Sequence, residues 1–148
     1  PLKALAQASF LPLSSCHHYL SMARQDINRL VMADDIRLKK YLYCFRDVLA
    51  AQWVIANNSQ PPMAFMDLVN RFLPSGDIRE QIDELLVLKS QVLESEHIPP
   101  QEELDAYLLS LFARLEKQLP AASTPLSVDV FDKCLLDTLQ IAYPHLNL

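Results

Sequence analysis

The chain has 148 residues, of which 51% are apolar, one is glycine and ten are proline, with a formal charge of −5. Its length suits a single domain that buries about two-thirds of the surface its unfolded form exposes. Strands joined by tight turns need glycine at positive φ, so one glycine argues against a β-rich fold, and the abundance of Leu, Ala, Gln, Glu and Lys predicts an all-α domain.

Residues 2–10 form a short helical candidate that ends at Leu11-Pro12, because a residue before proline avoids the helical region. Ser14 or Ser15 is placed to cap a second helix, on which Cys16, Leu20, Ala23, Ile27 and Leu30 recur at helical spacing. Asp34 or Asp35 is placed to cap a long third helix running to about Asn57, with Leu38, Leu42, Phe45, Leu49, Trp53 and Ala56 as its packing stripe. Asn57 to Pro62 reads as a break. A short helix follows over 63–73, with Phe65, Leu68, Val69 and Phe72 on one side. The turn Pro74-Ser75-Gly76-Asp77 leads from an N-cap at Asp77 into a helix over 78–93, whose face carries Ile78, Ile82, Leu85 and Leu86, with Lys89 as a further candidate for it. Pro99-Pro100 precedes a helix over 101–119 carrying Leu104, Tyr107, Leu108, Leu111 and Leu115, and Pro120 to Pro125 reads as a linker to a last helix over 129–143. With no internal repeat, the expectation is an irregular bundle of about six to seven helices forming one domain over 1–148.

Charge is unevenly spread. Residues 1–46 carry seven Lys/Arg and three Asp/Glu, a net of +4, while residues 47–148 carry six and fifteen, a net of −9. That balance excludes wholesale coating of nucleic acid but leaves room for one local phosphate-facing patch. Cys16, Cys44 and Cys134 have neither metal-ligand nor redox spacing, as in a reduced, cytoplasmic protein. No apolar run reaches the ~18 residues of a membrane span, and no signal-peptide pattern is visible, so no membrane partner is expected. The chain opens at Pro1 inside the helix-like phrase LKALAQASF, which leads us to expect a longer parent protein.

The catalytic motifs with a clear mechanism are missing: there is no P-loop, GxSxG, HExxH, CxxC or glycine-rich dinucleotide fingerprint. Gly76 alone cannot build a glycine-rich phosphate cradle. The positive signal is KKYLYCFRDVLAAQWV at 39–54, where Lys39, Lys40, Tyr43 and Arg46 fall on one flank of the third helix beside its packing stripe. An arginine fork grips phosphate oxygens, lysines add point charge, and a tyrosine stacks on a base or donates its hydroxyl. The plainer alternative is that these side chains pair with the acidic remainder, at Asp83, Glu84 or Asp105. Cys16-His17-His18-Tyr19 invites a metal reading, but neighbours on a helix point about 100° apart and do not converge on one ion. His17, Ser21 and Arg24 share one flank of the second helix, His18 and Met22 another, and either flank could face the Lys39–Arg46 row. The carboxylates over 77–84 read as a solvated face, and the four methionines as core filler.

HHYLSMAR (17–24), RLKKYLYCFRDVLAAQWV (37–54), PPMAFMDLV (61–69) and IDELLVLK (82–89) occur in that order. Together they resemble the C-terminal helical half of a family of predicted nucleotidyltransferases of the DNA polymerase β superfamily, one branch of which is linked to RNA repair. The resemblance covers roughly residues 1–98. It implies a catalytic α/β domain outside this stretch, in which paired acidic residues hold Mg²⁺ ions that position a nucleoside triphosphate. That metal-binding half is absent from the sequence, so the chain alone is expected to be inactive and to hold no cofactor. The helical half is expected to pack beside the catalytic domain, with His18, Arg24, Lys39, Lys40, Tyr43 and Arg46 as nucleotide- or phosphate-contacting candidates and Trp53 also matching. Nucleotide or RNA is the expected ligand, with a homodimer through an exposed apolar face as a further expectation. Asp47 stands where the family commonly has proline, a change that would weaken a local positive field. The rival expectation is a helical interaction module without catalysis.

Overall fold

The computed structural model describes residues 2–32, 36–92 and 96–144. Among these, seven helices and one minimal sheet follow in the order α1 (Leu2–Ala8), α2 (Pro12–Met32), β1 (Ile36–Arg37), α3 (Leu38–Asn57), α4 (Phe65–Phe72), α5 (Asp77–Gln91), β2 (His97–Ile98), α6 (Glu102–Leu115) and α7 (Val128–Ala142). The all-α expectation holds, with helix ends displaced by a few residues. The second helix starts at Pro12 and not at a serine cap, because proline's fixed φ and missing N–H suit the first helical position. Gly76, not Asp77, precedes α5, at φ 103°, a value that disfavours side chains carrying a Cβ. The cap expected at Asp34 or Asp35 falls outside the described residues, and α3 begins at Leu38 after an extended Arg37 that makes no side-chain cap bond.

Helix α3 is the axis of the fold. Its buried residues run almost all round, from Leu38, Tyr41, Leu42, Cys44 and Phe45 to Val48, Leu49, Ala50, Ala51 and Val54. Such a broad apolar surface needs neighbours on several sides, and α2, α4, α5 and α6 supply them. The α2 stripe predicted from spacing is buried at Cys16, Leu20, Ala23 and Ile27, with Leu30 half-buried. Trp53 and Ala56 lie less deep than expected: Ala56 is exposed, and Trp53 is half-buried at the rim. There the Trp53 indole N–H donates to Ser59 Oγ at 3.2 Å, and its ring meets Phe72 edge-on at 6.3 Å. The helix ends where Asn58 adopts left-handed φ 51° and its N–H returns to the Val54 carbonyl at 2.9 Å.

Two pieces of polar structure tie distant segments to α3. Ile36 and Arg37 pair antiparallel with Ile98 and His97, and the Leu38 N–H bonds the Glu96 carbonyl at 2.9 Å. This bridge clamps the approach to α6 onto the start of α3 and holds Arg37 at the helix mouth. Deeper in, the Tyr41 hydroxyl donates to Asp105 Oδ1 at 2.6 Å, joining α3 to α6. By contrast, α1 and α7 touch each other, and neither contains a buried residue.

Candidate functional site

The Lys39–Arg46 row faces two adjoining depressions. The larger, about 590 Å³, lies between α2 and α3 and is lined by Met22, Asp26, Arg37, Lys39, Lys40, Tyr43 and Asp47. The smaller, about 50 Å³, opens towards α4 and α5 and is lined by Lys39, Leu42, Tyr43, Arg46, Phe65, Leu86 and Lys89. Lys39 and Tyr43 border both, so Tyr43, half exposed at 50%, stands as the ridge between them. Helical geometry explains the division. Lys40, Tyr43 and Asp47 step by three and four towards α2, whereas Leu42 and Arg46 step by four towards α4 and α5.

Charge in the larger cleft is mixed. Asp26 takes a hydrogen bond from Arg29 at 2.9 Å, one turn along α2, and Lys40 Nζ stands 3.8 Å from the same oxygen. Lys40 therefore finds its counter-charge on α2, and not in the acidic remainder named as the alternative. Asp83 is occupied by Arg79 at 2.7 Å, and Asp105 by Tyr41. Arg46 donates to the Met63 carbonyl at 3.4 Å, and its Nη1 lies 4.0 Å from Asp47 Oδ1. Asp47 is only 3% exposed. Burial pushes its carboxyl up to about 6, opposed by Arg46, reinforced by Asp26 and opposed again by His18. Burial also raises the Cys44 thiol, with Asp26, Asp47 and Asp105 adding to the shift. The protonated thiol then lies 3.7 Å from the Ala23 carbonyl, in reach of a weak hydrogen bond.

The candidates on α2 separate. His18 is exposed, lies edge-on to Tyr19 at 5.4 Å, and belongs electrostatically to the Asp47 side. Arg24 belongs to a different groove, about 400 Å³, lined by His17, Leu20, Ser21, Arg24, Glu116 and Leu119. There Arg24 pairs with Glu116 and lies over the Phe112 ring at 5.8 Å. The structure thus gathers Lys39, Lys40, Tyr43 and Arg46, adds Met22 from the His18 flank, and leaves Arg24 outside. Arg37, Lys89, Asp26 and Asp47 are lining residues that spacing along α3 did not bring together. Arg37 was legible as the residue just before the row, while Lys89 and Asp26 reach it only through tertiary packing.

No group of three or more His, Cys, Asp or Glu side chains among the described residues is placed to hold a metal ion. Asp26 and Asp47, with lysine and arginine interleaved, do not make a Mg²⁺ donor set. No helix among the described residues is long and apolar enough to cross a membrane.

A mostly α-helical protein with a cationic, aromatic-ridged cleft is the class that these features define. Its family is specific: residues 1–137 match the model of the RNA repair pathway DNA polymerase beta family, and the chain belongs to that family. It is also similar to the uncharacterized protein YcgL of Bacillus subtilis (strain 168), at 27% identity over 121 residues. That match takes in 82% of this chain and 45% of the relative, so the chain spans less than half the length of the curated protein it resembles. No solved structure matches.

Proposed function

We propose that this chain is the helical part of a DNA polymerase β-type nucleotidyltransferase, and that its α3 cleft receives the phosphates of a nucleoside triphosphate or of an RNA acceptor. In the intact protein, a catalytic domain outside these residues would hold Mg²⁺ and transfer a nucleoside monophosphate to an acceptor. The observation that carries the reading is the convergence of Arg37, Lys39, Lys40, Arg46 and Lys89 on two depressions that share the exposed face of Tyr43. Lysines and arginines from separate elements, gathered beside an aromatic face, form the arrangement that phosphate and a stacked base require. Family membership and the greater length of the B. subtilis relative, of which the match takes in 45%, also support it. Titrating the protein with nucleoside triphosphates and short RNA at two salt concentrations tests this. Binding should weaken with salt and fall about tenfold or more when Lys40 and Arg46 are both changed to alanine. Unchanged binding in that double variant overturns the reading.

A second reading, a non-catalytic module that docks another protein or a second copy, is favoured by α7. Val128, Leu135 and Ile141 on that helix are more than half exposed, at 71%, 56% and 72%. Absence of any nucleotide or RNA binding, together with a concentration-dependent rise in mass, would favour it.

A further inference from the structure

The α2–α3 cleft holds one group that phosphate binding does not explain. Asp47 lines the cavity yet is 3% exposed, and among the described residues no donor hydrogen-bonds to its carboxylate. Arg46 Nη1, at 4.0 Å, is too far for a hydrogen bond, while Nη2 of the same guanidinium donates to the Met63 carbonyl. On the facing helix α2, Asp26 engages Arg29 and also Lys40 of α3, and His18 is exposed. A carboxylate this little exposed, with no protein donor and only the edge of the cleft to hydrate it, is costly and repels an anion. A cleft meant only for phosphate gains nothing from it.

We propose that Asp47 accepts hydrogen bonds from the nucleoside part of the ligand, so that the cleft takes nucleoside phosphates in preference to phosphate chains lacking a nucleoside. This rests on the reading of the cleft as a nucleotide site. Arg37, Lys39 and Lys40 form the anion-binding side, and Asp47 at the floor reads a donor, either a ribose hydroxyl or an exocyclic amine. A cavity of about 590 Å³ is of the size that holds a small ligand of this kind. A site built around a buried acceptor discriminates strongly against analogues that leave it unpaired.

Isothermal titration of ATP and of inorganic tripolyphosphate against the wild-type chain, Asp47→Ala and Asp47→Asn tests the proposal, with circular dichroism melts as the folding check. The wild type should favour ATP by about tenfold or more, the size expected for hydrogen bonds to a charged acceptor. Asp47→Ala should bring the two ligands to within about twofold of each other and tighten tripolyphosphate, because a repelling charge is gone. Asp47→Asn keeps an acceptor oxygen and should fall between. If the donor is ribose, 2′,3′-dideoxy-ATP should bind the wild type like tripolyphosphate; if it is the amine, ATP and CTP should outbind UTP. An ATP preference that survives intact in Asp47→Ala overturns the role of Asp47 while leaving the nucleotide reading in place. Failure of both ligands to bind overturns both.

Discussion

Two grooves flank α2, and they treat charge in opposite ways. In the groove towards α6, Arg24 is exposed, meets Glu116 and covers Phe112; each charge there has a counter-charge and water. In the cleft towards α3, cations crowd the rim while Asp47 sits buried at the floor without a hydrogen-bond donor. The first is what solvated surface residues do when left to pair. The second carries an electrostatic cost that packing alone does not require, since an apolar or amide side chain would fill the same space. Cationic residues from 24 and 39–46 thus belong to an ordinary ion pair on one side and to a cleft over a buried carboxylate on the other.

The contrast sharpens most at Asp47. Its proton is held more tightly in the folded chain, near 6, than at the ordinary value of 3.8. The native state therefore has its full contribution from this group below pH 4 and loses it as pH rises through 6. Asp47→Asn should raise stability at pH 8 by about 1–3 kcal/mol, with the gain vanishing near pH 4. Denaturant melts at the two pH values check this, and a loss of stability at pH 8 would show that the carboxylate has a structural partner. Tyr41→Phe comes next: it removes the donor to Asp105 at the α3–α6 contact and should cost about 1–2 kcal/mol in the same melts. The smallest effect belongs to the other groove, where Arg24→Ala should change stability by less than about 1 kcal/mol, because the pair is exposed.

Much of the helical frame was legible in the sequence because helices are local objects. The repeat of Cys16, Leu20, Ala23 and Ile27 needs no knowledge of the rest of the chain, and the break at Asn57 follows from the chemistry of asparagine and proline. The ends of elements were less legible: Pro12 begins a helix that a serine cap at 14 or 15 would start three or four residues later. The β1–β2 bridge escaped notice because two-residue strands have no periodicity to detect. At the site, the row Lys39, Lys40, Tyr43 and Arg46 was visible as one helical flank. Its division into two depressions was not, since that depends on where α2 and α5 lie. Arg24 shows the same limit: its flank on α2 was read correctly, but whether that flank meets α3 or α6 is decided by tertiary packing. Asp47 is legible in the sequence as a departure from the family pattern that weakens a positive field, while its burial follows only from the packing of α2 on α3.

On the proposed reading, the α3 cleft, and not the α2–α6 groove, binds the anion. Titration of a nucleoside triphosphate against the wild type, the Lys40→Ala/Arg46→Ala double variant and Arg24→Ala tests it most directly. Affinity should fall about tenfold or more in the double variant and stay within about twofold in Arg24→Ala, with the salt dependence flattened only in the former. Equal losses in the two proteins, or a loss confined to Arg24→Ala, would contradict it.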